Sequence, residues 1–159
     1  MTLEKTVSDR TALIVRPAQG TDRCSWERMR EALWPTRLGE HAREIERYFA
    51  GELSEPSQVL LAFDQHGEAV GLVELSIRAY AEGCVTDRVA YIEGWYVEPV
   101  ARRKGVGSAL VAAVESWARS QGCVELGSDA EAGNVASAAA HRALGFTETG
   151  VIRCFRKSL

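Results

Sequence analysis

Hydrophobic and polar residues follow two different periods along this chain, one typical of helices and the other typical of strands. The clearest helical pattern begins at Val106, where apolar side chains recur three and four positions apart as far as Trp117. Shorter helical patterns start near Thr21 and at Glu40, and each ends where a proline or a glycine interrupts it. A fourth helix is predicted over residues 134–144.

Short apolar runs between these helices predict strands. The runs 59–63 and 73–77 are separated by a turn-like segment, and the second alternates apolar and polar residues, so the two predict an antiparallel hairpin. A longer run, 89–97, precedes the Val106 helix. The other predicted strands are 13–17, 124–128 and one or two strands within 146–156. This order of elements predicts an α/β (α+β) fold.

The length and composition indicate one globular domain. With 159 residues, 46% of them hydrophobic and 26% charged, the chain can bury one core but is too short for two ordinary domains. The predicted domain therefore spans 1–159, with a flexible N-terminal tail over about 1–11. No apolar run approaches the ~18 residues of a membrane span, and the N-terminal segment lacks the apolar core of a secretion signal. We therefore expect a cytoplasmic protein without a membrane partner.

The cysteines, the histidines and the net charge argue against two other classes of function. The cysteines occur singly, and none of the 3 histidines stands at metal-ligand spacing from them. We therefore predict no metal site, and expect the cysteines to be small buried or half-buried residues. A net charge of −3 argues against a nucleic-acid partner.

A basic loop that contains two glycines joins strand 89–97 to the Val106 helix. Its sequence over residues 102–107 is Arg-Arg-Lys-Gly-Val-Gly. Both glycines can adopt φ > 0, a helix N-terminus favours anions, and arginine binds phosphate oxygens. The spacing differs from that of Walker loops and of dinucleotide-binding loops. The loop alone therefore indicates either a pyrophosphate site or a plain turn with solvated basic residues.

The pattern R-x-x-G-x-G in this loop resembles the acyl-coenzyme A signature of the GNAT superfamily of N-acetyltransferases, and the order of elements is similar to that fold along nearly the whole chain. The resemblance implies a mixed, mostly antiparallel central sheet with flanking helices, whose fourth and fifth strands splay apart to admit the pantetheine arm of the co-substrate, acetyl-CoA. We expect the bulge that separates these strands near Gly94. The residues expected to bind acetyl-CoA are Tyr96, Val97, Arg102, Arg103, Lys104, Gly105, Val106, Gly107, Ser108, Asn134 and Ser137.

Direct acetyl transfer to an amine requires a base, an oxyanion donor and a proton for the departing thiolate. As a carboxylate in an otherwise apolar strand, Glu93 is the candidate general base, and we expect burial to raise its pKa toward neutrality. The alternative is that Glu93 pairs with Arg78 or Arg88 on a neighbouring strand. By its position in the motif, the backbone N–H of Val97 is the candidate oxyanion donor.

The fourth predicted helix carries the candidate general acid. His141 stands where many relatives have the tyrosine that protonates the thiolate, and a histidine can donate a proton near neutral pH. The thiolate can also leave to solvent, and His141 can be structural. Asn134 in turn can be a plain helix cap instead of a ligand of the co-substrate.

Within the superfamily the chain is most similar to the bacterial aminoglycoside 6'-N-acetyltransferases. The segments that carry this resemblance are 33–35, 76–80, 83–84, 93–94, 128–129, 144–149 and 155–157. Such an acceptor is a polycation, so we expect Glu93 and Asp129 to bind it, with Trp26, Trp34 and Tyr80 as walls. The alternatives are a polyamine, a small amine metabolite or a protein N-terminus as acceptor, and a non-catalytic acyl-CoA-binding module. Relatives often form homodimers through their terminal strands, so we expect a homodimer.

Overall fold

The computed structural model describes residues 13–35 and 39–159. Its strands form one sheet in the order β1-β2-β3-β4-β5. The strands are β1 (Ile14–Pro17), β2 (Gln58–Phe63), β3 (Ala69–Arg78), β4 (Val89–Val97) and β5 (Leu126–Ser128). The first four strands pair antiparallel, whereas β4 and β5 pair parallel. This sheet confirms the predicted mixed, mostly antiparallel α/β (α+β) fold. The predicted flexible tail lies outside the described residues.

Helices cover both faces of the sheet. The helices are α1 (Arg23–Leu33), α2 (Glu40–Phe49), α3 (Val106–Ser120) and α4 (Val135–Ala143). Trp26 and Met29 of α1 pack with Ile45 of α2 on one face, whereas Val106 and Leu110 of α3 pack on the other. Because β2 is buried on both faces, its sequence is a continuous apolar run without polar residues in alternation.

A bulge in β4 divides the sheet at the point where the two parallel strands separate. Leu75 of β3 pairs with Ile92, but Glu74 pairs with Gly94, so Glu93 is the extra residue on β4. The parallel ladder with β5 also ends here, because its last pair joins Ile92 to Ser128. The structure therefore has the predicted bulge and splay. Within residues 13–35 and 39–159, no strand pairs with the outer edge of β4 beyond Glu93.

Gly94 follows the bulge because a larger residue would meet the end of α1. A Cβ atom at this position would lie 2.3 Å from Cη2 of Trp34. The indole of Trp34 thus packs directly on the β4 backbone beside Glu93. This contact gives a steric reason for the glycine in the strand, in addition to the bulge.

The predicted C-terminal strand or strands within 146–156 are absent. Residues 144–159 contain no regular element, and residues 147–159 are all exposed. Among the described residues, three apolar side chains of this segment find no partner surface: Val151 is 73% exposed, Ile152 62% and Phe155 91%. A strand also needs an edge to pair with, and β5 offers only three residues.

The four cysteines are all free thiols, but they are not all buried as we expected. Cys123 is buried and Cys84 is half-buried, whereas Cys24 and Cys154 are exposed. The sequence pattern did not distinguish the two exposed cysteines from the two that are buried or half-buried. Within the described part of the chain, no helix is long and apolar enough to cross a membrane.

Candidate active site

The loop before α3 forms a backbone cradle at the N-terminus of that helix. Gly105 has φ +85° and is the N-cap of α3. The first hydrogen bond of the helix runs from Ala109 N to Gly105 O, so the N–H groups of Val106, Gly107 and Ser108 precede it without an intrahelical acceptor. Such a row of donors at a helix N-terminus suits an anionic group.

Only one of the two glycines uses positive φ, contrary to our expectation. The second residue with positive φ in this loop is Arg103, at 60°. Gly107 is helical instead, and a Cβ atom there would lie 3.0 Å from Cζ2 of Trp95. Gly107 is therefore required by close packing against β4, and not by a left-handed backbone.

The basic side chains of the loop remain available for a ligand. Arg102, Arg103 and Lys104 are all exposed. Arg102 also donates from Nε to the carbonyl of Val97 at 3.0 Å, which ties the loop to the end of β4. The loop therefore presents positive charge beside the backbone donors of α3.

The unpaired edge of β4 supplies further donors. Glu98 N donates to Val70 O on β3 at 2.9 Å. Because successive backbone groups of a strand point to opposite edges, the N–H groups of Trp95 and Val97 point away from β3, into the gap beyond β5. Val97, our candidate oxyanion donor, thus has a suitably oriented N–H. The N–H of Trp95 has the same orientation, but as a backbone donor it leaves no signal in the sequence.

Glu93 is held by three donors from β3. Arg78 donates to it from Nε at 2.9 Å and from Nη2 at 2.6 Å, and Ser76 donates its hydroxyl to the same carboxylate. The pairing with Arg78 that we considered as the alternative is therefore formed. The expected deep burial is absent, because the Glu93 side chain is 27% exposed. An arginine partner and partial exposure, and not an apolar pocket, determine the environment of this carboxylate.

A second carboxylate, Asp129, lies near the same arginine. The Arg78 guanidinium stacks on the ring of Tyr91, 3.5 Å from its centroid. Burial, with the Asp129 carboxylate adding to it, raises the pKa of Tyr91 to about 12, so its hydroxyl stays protonated. Asp129 itself is exposed, just beyond β5. Arg78 thus lies between Glu93 on one splayed strand and Asp129 after the other.

His141 forms hydrogen bonds through both ring nitrogens. Nε2 lies 2.9 Å from Oγ of Ser128, and Nδ1 lies 2.8 Å from the carbonyl of Ser137. The rings of Trp95 and Phe146 pack edge-on against the imidazole, each with its centroid 5.1 Å away. His141 therefore connects α4 to the end of β5 and to β4, across the place where these strands separate.

The other polar residues of α4 are partly engaged within the helix. Oδ1 of Asn134 accepts a hydrogen bond from Ser137 N at 3.0 Å, which is the helix cap we considered as an alternative. Oγ of Ser137 lies 3.3 Å from Nδ1 of His141. The cap orders the first turn of the helix that faces the gap.

Three aromatic residues, Trp26, Trp34 and Tyr80, were expected to line the acceptor site, and the structure places one of them beside the bulge. Trp34 packs on Gly94 beside Glu93. Tyr80 follows β3 in a loop and is 68% exposed. Trp26 is not a wall of the cleft, because it is 1% exposed and its indole N–H donates to the buried carboxylate of Glu74 at 2.7 Å. An aromatic side chain on the apolar stripe of α1 belongs to the core.

Two polar residues of the site were not among our candidates. Ser76 and Ser128 bond Glu93 and His141, respectively. Ser76 lies on the polar side of an alternating strand, which is a weak signal. Ser128 lies in one of the segments that carry the family resemblance, but that resemblance assigned it no role. Among the described residues, no group of three or more histidine, cysteine, aspartate or glutamate side chains is placed to hold a metal ion.

The sequence of this chain is similar to those of known acetyltransferases. The family model described as "Acetyltransferase (GNAT) family" matches residues 26–146. A protein from Klebsiella aerogenes named aminoglycoside N(6')-acetyltransferase type 1 is 52% identical over 147 residues, which cover 92% of this chain and 97% of the relative. A protein of the same name from Stenotrophomonas maltophilia is 39% identical, over 94% of this chain and 95% of the relative.

Solved structures agree with this assignment. The aminoglycoside antibiotic 6'-N-acetyltransferase AAC(6')-Ih from Acinetobacter baumannii superposes with a TM-score of 0.84 at 34% identity, over 93% of this chain and 99% of that one. AAC(6')-Iy, in complex with the bisubstrate analogue CoA-S-monomethyl-acetylneamine, superposes with a TM-score of 0.83 at 31% identity, over 94% of this chain and 100% of that one. This chain belongs to the GNAT family of acetyltransferases.

Proposed function

We propose that this chain transfers the acetyl group of acetyl-CoA to the 6'-amino group of aminoglycoside antibiotics, and so acts as a resistance enzyme. The support is its 52% identity to a relative named for this activity. The structural observation that carries the proposal is the pair of carboxylates, Glu93 and Asp129, beside the gap between β4 and β5. Because an aminoglycoside is a polycation, carboxylates beside an open gap provide the charge that attracts it.

The donor site in this proposal consists of the cradle and the open strand edge. The N–H groups at the start of α3, together with Arg102, Arg103 and Lys104, bind the pyrophosphate of acetyl-CoA. The pantetheine arm enters the gap and pairs with the backbone of β4 at Trp95 and Val97, because the backbone groups of Tyr96 point toward β3. Asn134 and Ser137 on α4 contact the arm from the other side. Gly105 lets the backbone turn into the helix at positive φ, and Gly107 lets the helix pack closely on Trp95 of β4.

The acceptor amine attacks the thioester directly. Glu93 takes a proton from the substrate ammonium, and the N–H of Val97 stabilises the oxyanion. An ionised carboxylate can accept about four hydrogen bonds. Ser76 and Arg78 supply three donors, which leaves room for one further donor on Glu93. Arg78 therefore orients the carboxylate but does not use all of its capacity to accept hydrogen bonds.

The acceptor binds between Trp34 and the end of β5. Trp34 packs on Gly94 and so provides an apolar wall next to the base. Glu93 and Asp129 carry two negative charges and Arg78 carries one positive charge. The three side chains together therefore have a net charge of −1. An ammonium group of the substrate balances this excess. Tyr80, on its exposed loop, contacts the distal part of a large acceptor. His141 is the source of the proton for the thiolate.

An acceptor screen tests the proposal. Release of free thiol from acetyl-CoA is followed with aminoglycosides that carry a 6'-amine, with spermidine and with peptides that have a free N-terminus. We expect turnover with the aminoglycosides. Turnover only with spermidine or peptides would support a different acceptor, and binding of acetyl-CoA without any turnover would support a non-catalytic module; either result would overturn the proposal.

We also propose that two copies associate through their C-terminal segments. Residues 147–159 expose Val151, Ile152 and Phe155, and these apolar side chains gain a partner surface in a dimer. Light scattering coupled to size-exclusion chromatography measures the mass of the full chain and of a variant that ends at residue 149. A dimer that becomes a monomer on truncation is expected, and a monomeric full chain would contradict the assembly.

The proposed compartment is the cytoplasm. All four cysteines are free thiols, which is the usual state in a reducing compartment. Two of them, Cys24 and Cys154, are exposed and would be prone to oxidation outside the cell. Fractionation of cells that express the chain, with the activity assayed in each fraction, tests this placement.

A further inference from the structure

Both nitrogens of His141 are already bonded, which limits how this side chain can deliver a proton. Nδ1 lies 2.8 Å from the carbonyl of Ser137, and since a carbonyl only accepts, Nδ1 carries a hydrogen. In the neutral ring, Nε2 therefore accepts from the hydroxyl of Ser128 at 2.9 Å. In the imidazolium, Nε2 donates to Ser128 Oγ instead, and the hydroxyl hydrogen of Ser128 becomes free. The ring has no unbonded N–H to give in either state.

Ser128 occupies the position where a proton is needed in the proposed reaction. It is the last residue of β5 and pairs with Ile92, one residue before the bulge at Glu93. The gap that would admit the pantetheine arm opens directly beyond this pair. Ser128 is half-buried, so its hydroxyl is shielded from bulk water but not sealed in the core.

The packing around His141 keeps this arrangement in one geometry. Trp95 from β4 and Phe146 after α4 contact the ring edge-on, both at 5.1 Å, and neither of them titrates in the neutral range. The charged groups on the elements packed against the imidazole are Glu93 on β4, Asp129 after β5, and Arg142 on α4, which is paired with Glu148. The charge of Arg142 is balanced by that partner.

We propose that Ser128 is a catalytic residue, which donates its hydroxyl proton to the departing thiolate and recovers it from the imidazolium of His141. This inference rests on the proposed acetyl transfer. The amine nitrogen forms a bond to the acetyl carbon, and the carbon–sulfur bond breaks with its electron pair on sulfur. Sulfur takes the Ser128 hydrogen, Oγ takes the hydrogen of Nε2, and neutral His141 keeps the hydrogen on Nδ1. Glu93 first passes the ammonium proton to solvent and then takes the proton that the attacking amine loses, and His141 regains its proton from solvent.

Single substitutions at both positions test the relay. Ser128→Ala should lower kcat by about 10²-fold, the low end for general-acid catalysis, without changing the KM of either substrate. Ser128→Thr keeps a hydroxyl and should restore most of kcat. His141→Gln keeps a hydrogen-bonding side chain but no transferable proton, so it should lower kcat as Ser128→Ala does. Ser120→Ala removes an exposed hydroxyl from the far end of α3 and should change nothing.

Two readouts separate a relay from a purely structural contact. If the residues act as a unit, the double variant should be no slower than either single variant. The pH profiles of kcat for the unaltered chain and for Ser128→Ala should differ in shape, because only the unaltered chain delivers its proton through the hydroxyl of Ser128 and the imidazole. Acetyl-CoA binding by calorimetry establishes that each variant is folded. Unchanged kcat in folded Ser128→Ala, or additive losses in the double variant, would overturn the relay while leaving the proposed function intact; absence of transfer by the unaltered chain would overturn the proposed function.

Discussion

Arg78 donates two parallel hydrogen bonds to the carboxylate of Glu93, from Nε at 2.9 Å and from Nη2 at 2.6 Å. A planar guanidinium that bonds a carboxylate in this way fixes its orientation. The guanidinium also stacks on the ring of Tyr91, with Cζ of Arg78 3.5 Å from the ring centroid. The bulge in β4 thus presents a carboxylate of fixed direction at the point where β4 and β5 separate.

Replacing that carboxylate should abolish transfer and spare acetyl-CoA binding. Glu93→Gln keeps the shape of the side chain but cannot take a proton, so we expect kcat to fall by roughly 10²- to 10⁴-fold. The Kd for acetyl-CoA should not change, because the cradle is formed by the α3 loop. Steady-state kinetics and calorimetry measure the two quantities.

Glu68→Gln is a matched control for this substitution, since Glu68 lies in the exposed turn between β2 and β3. It should have no effect on either quantity. Undiminished kcat in Glu93→Gln would remove Glu93 as the base. It would leave Glu93 with its pairing to Arg78 and its negative charge toward the acceptor.

The positive charge of the loop should appear as salt-dependent binding of acetyl-CoA. Lys104 is exposed beside the N-terminus of α3, so Lys104→Ala should raise the KM for acetyl-CoA by roughly tenfold, the equivalent of about 1.4 kcal/mol. The KM should also depend less steeply on ionic strength than in the unaltered chain, because one screened contact is lost. Lys157→Ala, in the exposed C-terminal segment, is the control. Equal salt dependence in both variants would show that the loop does not contact the phosphates.

Gly94 should be intolerant of any side chain because of Trp34. In Gly94→Ala the new Cβ would lie 2.3 Å from Cη2 of the indole, so the ring must move off the β4 backbone. We expect a loss of about 1 kcal/mol in the free energy of unfolding and a higher KM for the amine. Trp34→Ala removes the obstacle, and the double variant should lose less stability than the sum of the two single variants.

Denaturant titrations and the amine KM check this prediction. Gly150→Ala, where nothing lies within 4 Å of the added atom, should leave both unchanged. If the stability losses of Gly94→Ala and Trp34→Ala were additive in the double variant, the contact between the two residues would not contribute to stability.

The buried Glu74 should give the protein a recognisable pH dependence of stability. It is 3% exposed, and burial raises its pKa above the ordinary value of 4.5 despite the nearby guanidinium of Arg30. As pH rises from 4.5, the unfolded chain releases this proton before the folded protein does. The stabilising contribution of Glu74 is therefore complete below 4.5 and is lost as pH rises through the folded pKa.

Glu74→Gln removes this titration. The difference in the free energy of unfolding, unaltered chain minus Glu74→Gln, should shrink as pH rises from 4.5 toward neutrality. Chemical denaturation at several pH values measures it. A difference that stays constant with pH would contradict the raised pKa.

The sequence was sufficient for the parts of the fold that local pattern determines. The helix from Val106, the hairpin of β2 and β3, and the bulge beside Gly94 each follow from apolar periodicity or from glycine placement. The prediction of a terminal strand was wrong because a strand requires a partner edge, which the apolar residues Val151, Ile152 and Phe155 cannot supply by themselves.

Side-chain partners in the site were harder to predict than the backbone. The sequence placed Glu93 correctly on β4, but its pairing with Arg78 depends on a register between β3 and β4 that no local pattern specifies. Trp26 was misplaced because a tryptophan on an apolar stripe has the same pattern whether it lines a cleft or the core. Ser128 lies in a segment that carries the family resemblance, but only its bond to His141 indicates a role for it.

The regiochemistry of acetylation tests the central claim most directly. The acceptors are a matched pair of aminoglycosides that differ only in carrying an amino or a hydroxyl group at position 6', and the products are analysed by mass spectrometry and NMR. We predict one added acetyl group on the 6'-nitrogen of the first compound and no N-acetylation of the second. N-acetylation of both compounds at another amine, or of neither, would contradict the account.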